Sequence, residues 1–354
     1  MGTLQQGTAG AGITAIEPAW IFSSSTERSE AAGFPFVSVV VLGYNSRDDL
    51  PTCLDALLAQ DYPGAYEVIF VDNASSDGSA DYVRGAFPTV RVIESGANLG
   101  YAAGNNLGAR AARGDVLAFV NPDTWAATDW LRELVRPLRD DPTVGLTTSK
   151  IVLLDRPEVI NACGNDLSLT GVTTCRYAGR PAAAVVADEV VPAVSGAAFA
   201  IRTALFRELG GFDEDFWMYL EDTDLSWRAR LAGFRCVLAA RSVIAHAYSQ
   251  RLAPAKTQRI EANRYRMLAK NLSGPALLTL LPQIALGEIV TWGWAALRGP
   301  RFLWAKLLAV WAACRQWGAI RRARRRTQQL RRVPDGVVLR GHVPAPAITD
   351  VEDG

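Results

Sequence analysis

The sequence predicts an α/β protein with a doubly wound parallel sheet, followed by an all-helical C-terminal region. Three observations predict this fold class. Apolar runs rich in β-branched residues recur in the first 120 residues, as in strands buried on both faces. Each run is followed by a segment with helical spacing of apolar residues, which is the alternation of a doubly wound fold. From about Ile260 onward the periodicity is helical.

Four strand–helix pairs make up the first half. The first strand is predicted at Val37–Leu42, and a helix with leucines at helical spacing follows from Ser46. The next strands are predicted at Glu67–Val71, Val90–Ile93 and Val116–Val120. Their helices are predicted near Ser79–Gly85, at Ala102–Ala112 and at Trp125–Arg139.

The pattern changes after Gly145. Periodicity is weak between Ile151 and Ala187, where Gly, Thr, Asn and Cys are frequent. Further strands are predicted at Val190–Ile201, Phe234–Ala239 and Val243–Ala245, and further helices at Thr203–Leu209 and Leu220–Ala232.

Composition excludes several classes of protein. The five cysteines form no C-x-x-C pair, and neither a P-loop nor a G-x-G-x-x-G motif is present. This argues against a disulfide framework, a zinc ribbon, a P-loop nucleotide hydrolase and a dinucleotide oxidoreductase.

The net charge is only +1, but residues 262–334 hold 14 lysines and arginines and one acid, Glu288. That asymmetry indicates an anionic surface as partner of the C-terminal region.

Short polar residues follow all four strands of the first half. They are Tyr44 and Asn45, then Asp72, Asn73 and Asp77, then Asn98, Gly100 and Asn105, and finally Asn121 and Asp123. Ligands of parallel α/β sheets bind beyond the carboxyl ends of the strands, so we expect a binding site there. Each segment alone is also typical of a turn. Asp77 can instead cap the next helix, and the glycines spaced by four from Gly96 to Gly108 can instead pack a helix on the sheet.

Three groups are candidates for the chemistry. Asp123, at the end of a buried strand, is placed to hold a divalent cation against a diphosphate. His246 is either a satisfied core histidine or a second metal ligand that meets Asp123 across a cleft. Glu221 and Asp222 follow an aromatic segment and begin a helix, and a carboxylate beside an apolar wall suits a general base with a shifted pKa.

The neighbours of that carboxylate pair have other expected roles. Trp217 and Tyr219 are expected to contact the acceptor, the substrate whose proton the general base would take. Asp224 and Arg228 are four residues apart, so we expect a structural ion pair on the helix surface.

Taken together, these residues resemble the family 2 glycosyltransferases with a GT-A fold. They are most similar to the bacterial branch with rhamnosyltransferases of cell-wall and O-antigen assembly. The matching segments are Val39–Asn45, Val71–Ser79, Asn98–Asn106, Asn121–Asp123, Gly210–Asp213 and Tyr219–Asp224. The resemblance implies an inverting transfer of a sugar from a nucleoside diphosphate sugar, with dTDP-rhamnose as the favoured donor. The Q-x-x-R-W signature of processive synthases is missing, so single transfers are expected.

The resemblance also implies roles for individual residues. Asp72 would meet the nucleobase, Asn98 the sugar of the nucleotide, and Asp222, beside Glu221, would be the catalytic base. Asp123 stands where the last acid of the family's D-x-D motif stands, with Asn121 in place of the first. The implied cofactor is a divalent cation, Mg²⁺ or Mn²⁺, with His246 as a second protein ligand.

The chain is expected to contain a GT-A domain at residues 35–255 and a helical, basic, membrane-associating region at residues 256–335. The domain comprises a nucleotide half, about residues 35–125, and an acceptor half, about residues 126–255. Residues 1–34 are expected to form a flexible lead with a local docking element at Trp20-Ile21-Phe22, and they carry no visible secretory signal. Residues 336–354 are expected to form a flexible tail.

The basic region contains half of the chain's ten tryptophans within 26 residues. This favours helices lying in the interface of an anionic membrane. A transmembrane hairpin and a soluble helical subdomain are the alternatives. The interfacial hypothesis places the protein peripherally on the cytoplasmic face of the bacterial inner membrane, where it reaches a polyprenyl-linked or glycan acceptor. No nucleic acid is expected as partner. The alternative function is a catalytically silent scaffold that binds nucleotide sugars at the membrane.

Overall fold

The computed structural model describes residues 33–248 and 253–341. The docking element expected at Trp20-Ile21-Phe22 lies outside the described residues. The sheet elements fall between Val37 and His246, and the C-terminal helices follow from Pro254.

Twelve strands are described. They are β1 Val37–Gly43, β2 Tyr66–Asp72, β3 Arg91–Glu94, β4 Val116–Val120, β5 Thr124–Ala126, β6 Val144–Leu153, β7 Ile160–Ala162, β8 Asn165–Leu167, β9 Thr173–Cys175, β10 Glu189–Val191, β11 Ala198–Arg202 and β12 Arg235–His246. The main sheet has the order β10-β12-β6-β11-β4-β1-β2-β3, while β8 and β9 form a separate hairpin. Strands β3, β2, β1 and β4 are parallel, and β11 is antiparallel to both β4 and β6.

Eleven α-helices lie among the described residues. They are α1 Leu50–Leu58, α2 Ser79–Ala86, α3 Gly100–Ala111, α4 Trp130–Asp140, α5 Thr203–Glu208, α6 Glu221–Leu231, α7 Pro254–Asn271, α8 Gly274–Arg298, α9 Pro300–Arg315, α10 Trp317–Leu330 and α11 Asp335–Val338. Helices α1 and α4 contribute to an apolar cluster on one face of the sheet. Helices α3 and α6 contribute to a second cluster on the other face. The predicted helix–sheet–helix layering is therefore confirmed.

Three predicted elements differ from the structure. The helix expected from Trp125 begins at Trp130, because residues 124–126 are held as a strand by β12. The strand expected at Val190–Ile201 is two strands, with Pro192, which has no N–H to donate to a sheet, just after the first. The two strands expected near residues 234–245 are one strand with an irregularity between Ala239 and Val243.

The start of the expected flexible tail is ordered. Residues 335–338 form α11, Val338 is buried, and its carbonyl accepts a hydrogen bond from Arg230 of α6. The prediction of a flexible tail from residue 336 is therefore wrong for residues 336–341, because this turn packs against α6. Residues 342–354 lie outside the described part of the chain.

The C-terminal helices expose a broad apolar surface. Among the described helices, only α8 is long and apolar enough to cross a membrane, which by itself is weak evidence, and little of it is buried. Its exposed residues include Leu278, Leu286 and Ile289, and α9 exposes Trp304 and Trp311. We call this surface, formed by the exposed side chains of α8 and α9, the apolar face.

The acidic residue of α8, Glu288, is paired with the neighbouring helices. Glu288 forms ion pairs with Arg264 of α7 and Lys306 of α9, and Tyr265 donates a hydrogen bond to it over 2.7 Å. Arg264 and Lys306 are each only 1% exposed at the side chain. Glu288, Arg264 and Lys306 are therefore paired between the three helices, while the apolar face is exposed.

Candidate active site

The loops after β1 and β2 are joined by hydrogen bonds. Asn45 has a left-handed backbone (φ 51°), and its Oδ1 accepts from the Ser76 amide over 2.8 Å. The Asn45 amide in turn donates to the Ser75 hydroxyl over 3.0 Å. Tyr44 is exposed beside it. The turn residues at this edge thus form one surface, with the Tyr44 ring open to a ligand.

Asp72 and Asn73 lie buried at the end of β2. One Asp72 carboxylate oxygen accepts from the Ser75 amide over 3.1 Å. The other, Oδ1, is buried and has no hydrogen-bond partner among the described residues. Asn73 donates to Asn98 Oδ1 and accepts from the Leu99 amide. Asn73 therefore connects β2 to the start of α3, while Asp72 keeps one acceptor unused.

Two residues expected to bind the nucleotide sugar instead form hydrogen bonds with other residues of the protein. Asp77 accepts from the Ser79 amide and hydroxyl with one oxygen and from the Arg47 amide with the other. Asp77 therefore binds the first amide of α2, which is the helix-capping role given as its alternative. Asn105 is 1% exposed and donates to the Tyr101 carbonyl one turn earlier. The expectation of a ligand contact is wrong for Asn105, because the side chain is buried within α3.

The glycines of α3 serve close packing. A Cβ at Gly104 would lie 2.5 Å from a methyl carbon of Leu42, so this helix face is smooth because the sheet is near. Gly100 has a φ of +73°, and a Cβ there would lie 2.5 Å from the Trp217 carbonyl oxygen. That same oxygen accepts from the Ala102 amide over 3.2 Å. Gly100 therefore lets the segment before Glu221 rest on the start of α3.

Asp123 and His246 lie in contact, which was one of the two alternatives that the sequence left open for His246. The register of β5 and β12 pairs His246 with Thr124, which brings His246 Nε2 to 3.2 Å from Asp123 Oδ1. The other ring nitrogen, Nδ1, lies 3.1 Å from Asn161 Oδ1, which orients the ring. Asn121 is half-buried beside them, and its backbone carbonyl accepts from the Thr124 hydroxyl. His246 is buried and partnered on both nitrogens.

This pair fits a cation that also binds a diphosphate. The Asp123 side chain is one-third exposed, so a ligand can reach its carboxylate from solvent. The described residues contain no group of three or more His, Cys, Asp or Glu able to hold a metal by themselves. Mg²⁺ in phosphate-transfer sites commonly takes one or two protein carboxylates and completes its shell with phosphates and water. Asp49 lies near enough that its pKa is raised, first by burial and then by Asp123.

Asp222 is held firmly at the start of α6. Its Oδ2 accepts from the Gly196 amide over 2.7 Å and from Asn165 Nδ2 over 3.2 Å. Its Oδ1 accepts from the Thr223 amide over 2.6 Å. Burial raises the pKa of Asp222, and the amides of Thr223 and Gly196 offset only part of that rise. The carboxylate is thus oriented and more basic than an ordinary aspartate.

Glu221 is buried with fewer hydrogen-bond partners than Asp222. It is 5% exposed, and its Oε2 has no hydrogen-bond partner among the described residues. Burial, and then the adjacent Asp222, raise the pKa of Glu221 well above its usual range. Tyr101 lies against the pair and donates to the Gly196 carbonyl over 2.6 Å. Ionising a buried carboxyl group that lacks hydrogen-bond partners costs free energy, and carboxyl groups with such raised pKa values are typical of functional sites.

The segment before the two acids has an unusual backbone. Trp217, Tyr219 and Leu220 all have φ values between 60° and 73°, a conformation that disfavours side chains other than glycine. Two cations of α7 face its rings. The Arg259 guanidinium lies 3.9 Å from the Trp217 ring centre, and the Lys256 ammonium 5.3 Å from the Tyr219 ring centre. This is the loop expected to contact the acceptor.

Asn263 of α7 holds that loop in place. Its side-chain amide lies 3.0, 2.9 and 2.8 Å from the carbonyl oxygens of Phe216, Met218 and Tyr219. One buried side chain thus serves three carbonyls of a left-handed segment, and it belongs to the C-terminal helices. The backbone leading into Glu221 therefore depends on where α7 docks.

Asp224 is structural, as expected, but it is not on a surface. It is fully buried, with Arg228 Nε at 2.8 Å, Lys270 Nζ at 2.8 Å and Asn271 Nδ2 at 3.0 Å. The expected surface ion pair is therefore an internal junction between α6 and α7. The correction follows from tertiary packing, because α7 covers the side of α6 that the spacing alone left open.

Sequence reasoning missed several residues of the site. Gly196, Asn165 and Tyr101 surround Asp222, and Asn263 holds the loop before it. Asn165 carries no sequence signal, because it lies in the segment of weak periodicity, and Gly196 carries none, because it lies inside a segment that was predicted as a single strand. Tyr101 does have one, since it lies within the small-residue segment after β3.

Two family descriptions match the chain. Residues 38–159 match the description "Glycosyl transferase family 2", and residues 118–318 match "Glycosyl transferase family group 2". The second match spans more than half of the chain and includes Asp123, Glu221, Asp222 and His246.

The chain belongs to the family 2 glycosyltransferases.

Among characterised relatives of this glycosyltransferase is the N-acetylglucosaminyl-diphospho-decaprenol L-rhamnosyltransferase of Mycobacterium tuberculosis. The two are 30% identical over 234 residues, which is 59% of this chain and 75% of the relative. The O-antigen biosynthesis protein RfbC of Myxococcus xanthus is 29% identical over 235 residues, which is 62% of this chain and 18% of RfbC. The chain thus spans less than a fifth of RfbC, and it spans 33% of the glycosyltransferase AglE of Haloferax volcanii.

Solved structures support the predicted GT-A architecture. Residues 1–349 of S. aureus TarS in complex with UDP-GlcNAc superpose with a TM-score of 0.55 at 17% identity, covering 83% of this glycosyltransferase and 88% of that chain. The mannosyltransferase PcManGT of Pyrobaculum calidifontis, in complex with GDP-Man and Mn²⁺, superposes with a TM-score of 0.51 at 23% identity, covering 87% of each chain. At these identities the likeness shows the fold alone.

Proposed function

We propose that this glycosyltransferase is an inverting, non-processive hexosyltransferase that moves rhamnose from dTDP-rhamnose to a lipid-linked or glycan acceptor in cell-envelope polysaccharide synthesis. The observation that carries the proposal is Asp222, a buried carboxylate with a raised pKa and with both oxygens fixed by hydrogen bonds. The activity named for the mycobacterial relative supports rhamnose as the sugar and a polyprenyl-diphosphate-linked sugar as the acceptor.

In the proposed reaction Asp222 acts as general base. Its carboxylate takes the proton of an acceptor hydroxyl, and that oxygen forms a bond to the anomeric carbon. The bond from this carbon to the diphosphate breaks on the opposite side, so the configuration inverts and the nucleoside diphosphate leaves. The raised pKa suits this role, because a base works best when its pKa lies near the working pH. A positioned base contributes roughly 10²- to 10⁴-fold in rate.

The donor would lie along the edge formed by the first two strand ends and the start of α3. Asp72 offers its unused Oδ1 to a nucleobase N–H. Tyr44 is exposed for contact with the base, and Asn98 is exposed beside Gly100. The side chains of Asn45 and Asn73 hold the backbone of this edge, so their part in donor binding would be to keep its shape. Asn121 would contribute at the same edge, next to Asp123.

Asp123 and His246 would hold the divalent cation, Mg²⁺ or Mn²⁺. The chemistry that such an ion supplies is neutralisation of negative charge on the departing diphosphate. Asn161 would keep the His246 ring oriented for this role. With only two protein ligands, we expect metal affinity to depend strongly on the nucleotide.

The apolar face supports a membrane location for the reaction. Trp217 and Tyr219 would contact the acceptor, and the apolar face of α8 and α9 would rest in the cytoplasmic interface of the inner membrane. If α8 only lies in the interface, alkaline carbonate should release the protein from isolated membranes. Retention in the carbonate pellet would favour a spanning α8 and would contradict the peripheral location.

The reaction is tested with one variant and a matched control on the same turn of helix. Asp222→Asn keeps the size of the side chain and one of its two accepting oxygens but removes the base, so transfer should fall by at least about 100-fold while donor affinity is retained. Asp224→Asn breaks a buried ion pair instead, and should cost about 3–5 kcal/mol of stability.

The assay follows transfer from dTDP-, UDP- and GDP-sugars to a polyprenyl-diphosphate-linked acceptor, with and without Mg²⁺ or Mn²⁺. Donor binding is measured separately by the rise in melting temperature that ligand binding to the folded state produces. Transfer by Asp222→Asn at the parent rate would exclude it as the base. Donor binding without transfer by the parent protein, over all three nucleotides, would favour the silent scaffold.

A further inference from the structure

A cleft of about 340 Å³ lies between the connection of α5 to α6, helix α7 and helix α10. Its walls include Gly210, Arg266 and Arg322. It shares no lining residue with the strand-end edge, the Asp123–His246 pair or the surroundings of Asp222. A water molecule occupies about 30 Å³ of liquid, so the cleft has room for a tetrahedral anion and its hydration.

The acids of this cleft are already paired. Asp213 accepts from Lys270 over 2.6 Å and from Arg266 over 3.2 Å, and Asp215 pairs with Arg266. Glu214 lies 3.6 Å from Arg110. The negative charges in the wall therefore have internal partners and leave any further cation uncompensated.

Two further cations line the cleft from α10. Arg322 and Arg326 are four residues apart, so both point from one face of the helix into the same space. Neither forms an ion pair or a hydrogen bond with any residue in the described ranges 33–248 and 253–341. Arg324 of the same helix differs, because its guanidinium donates to the Ala269 and Leu272 carbonyls. Arg322 and Arg326 thus bring two unneutralised guanidinium groups to one cleft.

Arg228 of α6, which also lines the cleft, holds an unused donor. Arg228 has a side chain only 5% exposed, with Nε on Asp224 and Nη1 on the Leu209 carbonyl. Its Nη2 is buried and has no hydrogen-bond partner in the described part of the chain. A buried guanidinium N–H without an acceptor is costly, and buried polar groups are nearly always hydrogen-bonded. This donor is independent evidence that the cleft accommodates an acceptor.

We propose that this cleft is a second binding site, for a phosphate group, bound between Arg322, Arg326 and the wall formed by Arg228. Phosphate oxygens match the forked N–H groups of arginine, and such pairs are among the strongest hydrogen-bonded contacts in proteins. Two sources share this chemistry, the headgroup of an anionic phospholipid and a soluble phosphate ester. The lipid source is supported by position, because α10 directly follows α9, whose Trp304 and Trp311 belong to the apolar face, and itself begins at the exposed Trp317.

The chain offers a matched control for the test. Arg321 and Arg325 are also exposed on α10 and four residues apart, but they do not line the cleft. Arg321→Gln/Arg325→Gln and Arg322→Gln/Arg326→Gln therefore remove the same charge from the same helix. Diffuse attraction to an anionic surface predicts similar losses for both pairs. A built site predicts a larger loss for the pair that lines the cleft.

The first arm measures binding of the full chain to vesicles of phosphatidylcholine with phosphatidylglycerol, against phosphatidylcholine alone. We expect the cleft pair to lose at least about tenfold more affinity than the exposed pair. Arg322→Lys/Arg326→Lys, which keeps the charge but not the fork, should still bind more weakly than the parent. This variant also separates loss of the site from loss of charge.

The second arm measures the melting temperature in inorganic phosphate against chloride at matched ionic strength. A phosphate-specific rise that only the cleft pair loses, with equal losses on vesicles, would assign the site to a soluble phosphate ester. Equal behaviour of both double variants in both arms would overturn the proposal. Since none of these residues touches the proposed catalytic groups, transfer activity of both variants in detergent checks that they are folded.

Discussion

Gly100 offers a sharp test of how α3 supports Glu221 and Asp222, the proposed catalytic carboxylates. Its φ is +73°, and an added Cβ would lie 2.5 Å from the Trp217 carbonyl oxygen and 2.6 Å from Cγ of the Trp217 ring. Gly96 has nearly the same φ of +74°, but an added Cβ there meets nothing within 4 Å. The two alanine variants therefore share the backbone strain and differ in the collision.

The expected magnitudes follow from this difference. A left-handed backbone costs a non-glycine residue roughly 1–2 kcal/mol, so both Gly96→Ala and Gly100→Ala should lose about that much stability. Forcing an extra carbon into a packed contact typically costs about 1–3 kcal/mol more, so Gly100→Ala should lose about 2–5 kcal/mol in total. Relief of the contact requires α3 or the Trp217 loop to shift by about 1 Å, and a displacement of that size can lower activity about 100-fold.

The measurement is urea unfolding of the parent and both variants, together with kcat and KM for transfer. We expect Gly96→Ala to retain near-normal kcat and Gly100→Ala to lose most of it. If both variants lose equal stability and equal activity, the contact between Gly100 and Trp217 has no role beyond the shared strain. In that event the account of how α3 positions the loop before Asp222 is wrong.

Two further outcomes are expected. Burial and Asp222 raise the pKa of Glu221, so the folded state holds its proton to a higher pH than the unfolded state, and Glu221 lowers stability as pH rises above about 4.3. The melting temperature of Glu221→Gln relative to the parent should therefore increase between about pH 4 and pH 7, and a difference that does not change with pH would contradict the raised pKa. Asn263→Asp cannot donate to the Phe216, Met218 and Tyr219 carbonyls, so kcat should fall about 100-fold while the donor dissociation constant stays within a few-fold; a loss in donor affinity alone would contradict its role on the loop.

The strand-end motifs could be predicted from the sequence because parallel strands bring their carboxyl ends to one edge. That rule placed Tyr44, Asp72 and Asp123 at that edge without knowledge of any contact. The meeting of Asp123 with His246 was one of two alternatives, and the register of β5 with β12 brings it about. Asn105 shows the limit of the rule, because its position in the motif did not reveal that the side chain points into the fold.

What the sequence determined by itself is the alternation of strands and helices in the first half, the edge where a ligand is expected, and the two acids at the start of α6. These depend on apolar periodicity and on turn chemistry, which act over a few residues. Only the tertiary structure decided which groups orient those acids. Asn263 reaches the Phe216 carbonyl 47 positions away, and Asn165 reaches Asp222 across 57 positions. Such contacts depend on how whole elements dock, because spacing along the chain does not determine which distant side chain fills a given space.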